Sequence, residues 1–101
     1  MSSGLLDALG DPTRRAVLES LRTGPKPVSA LASGLPVSRP AVSQHLKVLA
    51  DAGLVRHEKV GRQRLYEIEP AGLEELRDYV ESFWTDVLTG FKDRVEKGAS
   101  P

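Results

Sequence analysis

The chain has no cysteine. That excludes a disulfide framework, a thiolate metal site and a thiol redox switch. Histidine is almost as scarce. His45 and His57 are the only two, and neither has a second ligand candidate nearby, so no metal site is expected. No apolar run approaches the length of a membrane span. Asp7, Asp11, Arg14 and Arg15 interrupt the N-terminal stretch and exclude a signal-peptide core there. Both absences point to the cytoplasm and away from a membrane partner. There is no phosphate-cradling glycine loop, no nucleophile elbow and no His–carboxylate pair at a diagnostic spacing. No enzyme activity, catalytic residue or cofactor is therefore expected. Internal repeats and low-complexity segments are lacking too.

What is present centres on Val37 to Val55, VSRPAVSQHLKVLADAGLV. Ser38 suits an N-cap, and Pro40 is tolerated in the first turn, where N–H groups have no helical partner. Gly53 is the residue type expected where a helix ends in the left-handed conformation. Between them, Val42, Leu46 and Leu49 share one stripe, flanked by Ala41, Val48 and Ala52. Pro40, Ser43, Gln44 and Lys47 share another, at i, i+3, i+4 and i+7. The first stripe packs on a core. The second is polar, uncharged to basic, and lies in the N-terminal half of the helix. A helix that reads base edges in a major groove needs such a face. Just before it, Val28 to Leu35 is a short helical pattern, and Gly34 to Val37 is a tight connection. Short helix, glycine-containing turn and longer capped helix make a helix-turn-helix pattern.

After Gly53 the apolar period changes from 3.6 to 2. Leu54–Val60 and Gln63–Ile68 are strand-compatible, and Gly61-Arg62 between them fits a type II′ hairpin turn. Lys59, Arg62 and Arg64 make the tip basic. A hairpin placed there is a wing, able to reach a phosphate or a minor groove beside the helix. Formal net charge is zero, but the charges are segregated. Residues 39–64 carry Arg39, Lys47, Arg56, Lys59, Arg62 and Arg64 against Asp51 and Glu58, a net of +4. Residues 67–96 carry a net of −6. Attraction to phosphate follows the local patch, not the total.

Other segments frame this unit. Gly4 to Leu9 is a short amphipathic piece with Leu5, Leu6 and Leu9 apolar. Asp11-Pro12 caps and opens a helix expected to run to about Arg22. Arg14 and Arg15 stand in its first turn, where cations oppose the helix dipole. Two readings suit them: a phosphate contact or a brace on the recognition helix, or else a salt bridge to Asp7 or Asp11. His45 falls on the inner flank of the recognition helix as a packed or capping side chain, and His57 on a strand surface. Pro27-Val28 can add a very short edge strand against the wing. Pro70 opens a last helix expected to reach about Glu96, with a tail over residues 97–101. Leu73, Leu76, Val80, Phe83 and Val87 keep spacings of three and four along it, a seam for another helix. The expected partner is the same helix of a second copy, with Trp84 also in the interface and Leu5, Leu6 and Leu9 filling the groove.

The sequence resembles the ArsR-type winged helix-turn-helix repressors of prokaryotes. The resemblance rests on Ala8 to Leu18 (ALGDPTRRAVL), Val42 to Leu49 (VSQHLKVL), Ala52 to Val55 (AGLV) and Gly61-Arg62 to Tyr66. These cover most of residues 5–68. Phe83-Trp84 with a spaced Leu88 is similar to a metal-independent branch of that family. The metal-sensing relatives carry cysteines in the helix before the recognition helix, or histidines with acids in the last one. This chain has Ser29 and Ser33 in the first place and no histidine in the second.

Residues and resemblance together give these expectations. The fold is mainly α with a small β-hairpin, a single winged helix-turn-helix domain over 1–96 that dimerises through its terminal helices. Residues 28–53 are the helix-turn-helix, 54–68 the wing and 70–96 the dimerisation helix. The resemblance implies a homodimeric repressor of a palindromic operator, usually near its own gene, at the prokaryotic nucleoid. DNA contacts are expected from Ser38, Arg39, Pro40, Ser43, Gln44 and Lys47 on the helix, and from Lys59, Arg62 and Arg64 on the wing. Two alternatives stay open. One is release by a small molecule or metal ion bound near Tyr79, Phe83 and Trp84. The other is a winged-helix protein-interaction module without DNA binding.

Overall fold

Five helices and one hairpin follow one another in the computed structural model, which describes residues 3–99. They are α1 (Ser3–Ala8), α2 (Pro12–Ser20), α3 (Val28–Ser33), α4 (Arg39–Asp51), β1 (Val55–Val60), β2 (Gln63–Ile68) and α5 (Pro70–Ala99). This is the mainly helical, winged helix-turn-helix architecture expected.

The first four helices enclose one apolar core. Leu5 and Ala8 of α1, Val17 of α2, Leu21 just beyond it, Leu31 of α3, and Val42, Leu46 and Leu49 of α4 are all buried. Leu54 and Val55 close the core at the start of the wing. α4 is the central element, touching α1, α2, α3 and β1. Its apolar stripe is the one the 3.6-residue period picks out. Val48, on the flank of that stripe, stays partly exposed.

Local signals set the ends of α4. The Ser38 hydroxyl accepts the Ala41 N–H at 3.3 Å. At the other end the Leu54 N–H donates to the Leu49 carbonyl (2.9 Å) and the Gly53 N–H to that of Ala50 (3.0 Å). Gly53 has φ +81°. These are the paired bonds of a Schellman ending, and both flanking leucines are buried.

Asp11 caps α2 in the same way, its carboxylate accepting the Arg14 N–H at 3.0 Å. That bond, more than the nearby His45 and Arg14 charges, holds the Asp11 carboxyl below its ordinary 3.8. The stabilisation this implies is present in full above the ordinary 3.8 and is lost as pH falls below that and through the lowered folded-state value. Asp11→Ala is therefore expected to lower Tm at neutral pH, with the gap from wild type narrowing in acid. Thermal melts at pH 7 and pH 3 check this, and a gap independent of pH would contradict it.

The hairpin pairs Val55 with Ile68 through Val60 with Gln63. The turn has positive φ at Gly61 but not at Arg62, consistent with type II′ and not I′. A single bridge adds to its edge, through paired bonds of 2.9 Å between Lys26 and Tyr66. The bridge falls on Lys26 and not on Pro27-Val28, because proline has no N–H to donate.

Four further expectations need correction. Leu5 is fully buried in the core of its own protomer, so it cannot fill a groove of a dimer. Leu9 also packs partly against that core, whereas Leu6 points outward. A helix as short as α1 carries too few turns for its sequence to say which leucine faces in. Secondly, α2 stops at Ser20, and Leu21 and Arg22 continue in tight turns. Thirdly, α5 continues through Lys97 and Gly98 to Ala99. One glycine is not enough to stop a long helix, and Lys97 suits the negative end of its dipole. Of the expected tail, Ser100 and Pro101 lie outside the described residues.

The fourth concerns Arg14 and Arg15, which form no salt bridge to Asp7 or Asp11. Arg14 donates to the Ala8 carbonyl at 3.2 Å and more weakly to that of Asp7, and Arg15 donates to the Leu9 carbonyl at 2.7 Å. They cap the C-terminal end of α1, where a cation also suits the dipole.

Candidate nucleic-acid interface

α3 and α4 meet across the short turn at Gly34–Val37, and the wing lies alongside. The outer stripe of α4 is free of the core. Pro40, Ser43, Gln44 and Lys47 are exposed, as are Ser38 and Arg39 at the N-terminal end. The only carboxylate in the helix, Asp51, is its last residue. The face that would approach a polyanion therefore begins without negative charge.

Hairpin register decides what the wing presents. Val55, His57 and Lys59 share one face with their partners Ile68, Tyr66 and Arg64. This face turns toward α4. Arg64 and Tyr66 line a hollow of about 340 Å³ together with Arg39, Ser43, Arg62, Gln63 and Ser29. A neighbouring hollow of about 400 Å³ lies between Ser43, Lys47 and Asp51 on one side and His57, Arg64 and Tyr66 on the other. Ser43, Arg39, Lys47, Arg62 and Arg64 thus converge on one groove. Lys59 stands directly opposite Arg64. Like charges in that position destabilise a hairpin, and an anion between them relieves the repulsion.

Three contributors went unnoticed in the sequence. Ser29 enters the first hollow from α3, Tyr66 lines both hollows and His57 the second from the wing, the two rings 5.2 Å apart. The alternation of β1 and β2 was the available signal for the last two. Arg56 departs from expectation in the other direction. By sequence it belongs to the basic patch, but its Nε donates to Glu67 at 2.8 Å and its Nη1 to Glu69 at 3.1 Å. The Glu67 hydrogen bond, then the charge of Glu69, hold its guanidinium still more firmly protonated than usual. Its charge is directed into the base of the wing and not toward the groove.

The other exposed feature is α5. Trp84 is 60% exposed and Phe83 54%, with Val80, Val87, Leu88, Phe91 and Val95 similarly open. Tyr79 stands edge-on to Phe83 at 5.0 Å. Leu73 is exposed and Leu76 half-buried. The molecule is 70 Å long and about 25 Å across, because the distal part of this helix projects from the core. No described helix is long and apolar enough to cross a membrane.

A helix-turn-helix domain family matches residues 9–58, from the end of α1 into β1. Over 89 residues the chain is 52% identical to the HTH-type transcriptional regulator Rv2034 of Mycobacterium tuberculosis, covering 88% of this chain and 83% of that one. The structure of an ArsR-like transcriptional regulator from Rhodococcus sp. RHA1 superposes with a TM-score of 0.77 at 35% identity, over 94% of this chain and 90% of the other. The chain belongs to the ArsR-type family of helix-turn-helix transcriptional regulators. Another relative is the HTH-type transcriptional repressor SmtB of M. tuberculosis, 45% identical over 64 residues, which are 63% of this chain and 47% of that protein. In this ArsR-type chain α3–α4 is the helix-turn-helix and β1–β2 the wing.

Proposed function

We propose that this regulator acts as a homodimeric repressor of a palindromic operator, upstream of its own gene among others. The observation that carries the reading is the convergence of Arg39, Ser43, Arg62 and Arg64 on one groove between α4 and the wing. α4 enters a major groove with its N-terminal half leading. Ser43 and Gln44 read base edges, and glutamine suits a bidentate contact with adenine. Ser38, Arg39, Pro40 and Lys47 line the approach and meet flanking bases or phosphates. Lys59, Arg62 and Arg64 take phosphate or minor-groove positions beside the helix.

Leu6, Leu73, Leu76, Val80, Phe83, Trp84 and Val87 form the two-fold interface. The exposed apolar face of α5 supports this, since Val80, Phe83, Trp84 and Val87 are all exposed in one contiguous row on the helix. Two reading heads related by that axis place the half-sites about one helical turn, roughly 34–36 Å, apart. Repression is supported by the relative named a repressor. A metal-independent regulator is supported by the lack of cysteine and of histidine in α5, and a non-enzymatic cytoplasmic one by its likeness to helix-turn-helix transcriptional regulators.

Two substitutions separate the roles. Gln44→Ala is expected to weaken operator binding by about 1–3 kcal/mol and to relax preference at one base position per half-site. Arg62→Ala is expected to weaken all sequences alike and to flatten the salt dependence by about one counterion per half-site. Fluorescence titrations of operator and scrambled duplexes at several salt concentrations read both effects. A sequence-selective loss in Arg62→Ala, or a uniform loss in Gln44→Ala, would overturn the assignment.

A further inference from the structure

Arg56 stands where three elements meet, and among the described residues it is the only cation of the 39–64 block held in an ion pair. From β1 it reaches Glu67 across the hairpin and Glu69 just beyond β2. Glu69 is itself tied at both ends. Its N–H donates to the Leu54 carbonyl at 2.9 Å, immediately after the Schellman ending of α4. Its second carboxylate oxygen accepts the Ala71 N–H at 3.3 Å in the first turn of α5. One residue further, the Gly72 backbone lies so close to the Gly53 carbonyl that no side chain fits between them. The end of α4, the base of the wing and the start of α5 are thus fastened at one point.

We propose that Arg56, with Glu67 and Glu69, is a clamp that fixes the angle between the reading head and α5. Arg56 is then a positioning residue for operator binding, and not a phosphate contact. The inference rests on the dimeric DNA-binding function proposed above. Leverage gives it force. From Pro70 to Phe83 a helix rises about 20 Å, so a tilt of about 10° at the clamp moves the interface by roughly 3–4 Å. Both reading heads must match a fixed groove spacing, and an error of that size is felt twice in a two-fold dimer. A single half-site imposes no such match.

This separates a clamp from a phosphate contact. Arg56→Gln and Glu69→Gln are each expected to lower affinity for the full inverted repeat by about five- to tenfold. Affinity for an isolated half-site and the salt slope per half-site stay unchanged. The double variant is expected to be no worse than either single one, because both remove the same link, and Arg56→Lys recovers part of the loss. A second readout needs no DNA. The chain has no cysteine, so Val60→Cys places one spin label at each wing tip of a dimer. The interspin distance distribution is expected to be narrow in the otherwise native protein, and broadened or shifted by several ångströms with Arg56→Gln. An unchanged distribution overturns the clamp, as does a flattened salt slope with equal loss at the half-site. Failure of the parent protein to bind any inverted repeat would instead sink the proposed function, and the label distances would still judge the clamp. A labelled protein with no interspin distance, being monomeric, would end both.

Discussion

Gly72→Ala is expected to destabilise the fold by about 3 kcal/mol or more, at the upper end of what overpacking does. A Cβ at this position would lie 2.1 Å from the Gly53 carbonyl oxygen and 2.9 Å from its carbon. Both are backbone atoms, so no side chain can swing aside. The Gly53 backbone is not free to retreat either. It lies within the bonds that end α4, and the next residue, Leu54, accepts the Glu69 N–H. Relief therefore means lifting the start of α5 away from the end of α4. For a chain of this length the loss corresponds to a fall in Tm of roughly 10 °C or more, measured by circular dichroism at fixed protein concentration. A fall of only a degree or two would mean that the two backbones separate easily, and the junction would lose its role as a rigid joint.

Phe83→Asp is expected to convert the proposed dimer to a monomer and to lower affinity for the full operator at least about 100-fold. The exposed face of α5 has an apolar hollow of about 220 Å³ between Val80, Phe83, Trp84 and Val87. A carboxylate placed there must be desolvated for the seam to close, which costs several kcal/mol without a partner. Phe83 is 54% exposed in the single chain, so the variant keeps its own fold. What is lost is the joining of two half-sites, which is worth about 10²–10⁴ in affinity. Sedimentation equilibrium with titration of full-site and half-site duplexes reads both. A variant that remains dimeric would move the interface to another face. A monomer that still bound the full site tightly would remove the need for two-fold symmetry.

Features governed by neighbours in the chain were legible in the sequence. The Ser38 cap, the Val42–Leu46–Leu49 stripe, the Gly53 ending and the two-residue turn at Gly61-Arg62 each depend on a few adjacent residues. So did the outward stripe of Ser43, Gln44 and Lys47, since a 3.6-residue period fixes both faces at once. Features that depend on meeting across space were not. The clash that forbids a side chain at Gly72 exists only because α5 starts against the end of α4. A glycine within the first turn of a helix, where alanine is favoured, was the one available hint. Arg56 looked like any other cation of the basic block until strand register set it opposite Glu67. Arg14 and Arg15 found acceptors in the carbonyls ending α1, which carry no mark in side-chain identity. Leu5 and Leu6 are adjacent and chemically identical, and only the docking of α1 decides which is buried.

Purified protein, mixed with sheared DNA of its own genome at moderate salt, will retain the fragments it prefers, and sequencing them gives the decisive result. A dimer reading DNA through α4 and the wing predicts enrichment of an inverted repeat with half-site centres about one helical turn apart, including one upstream of the regulator's own gene. Weak, salt-sensitive retention with no enriched sequence would contradict it.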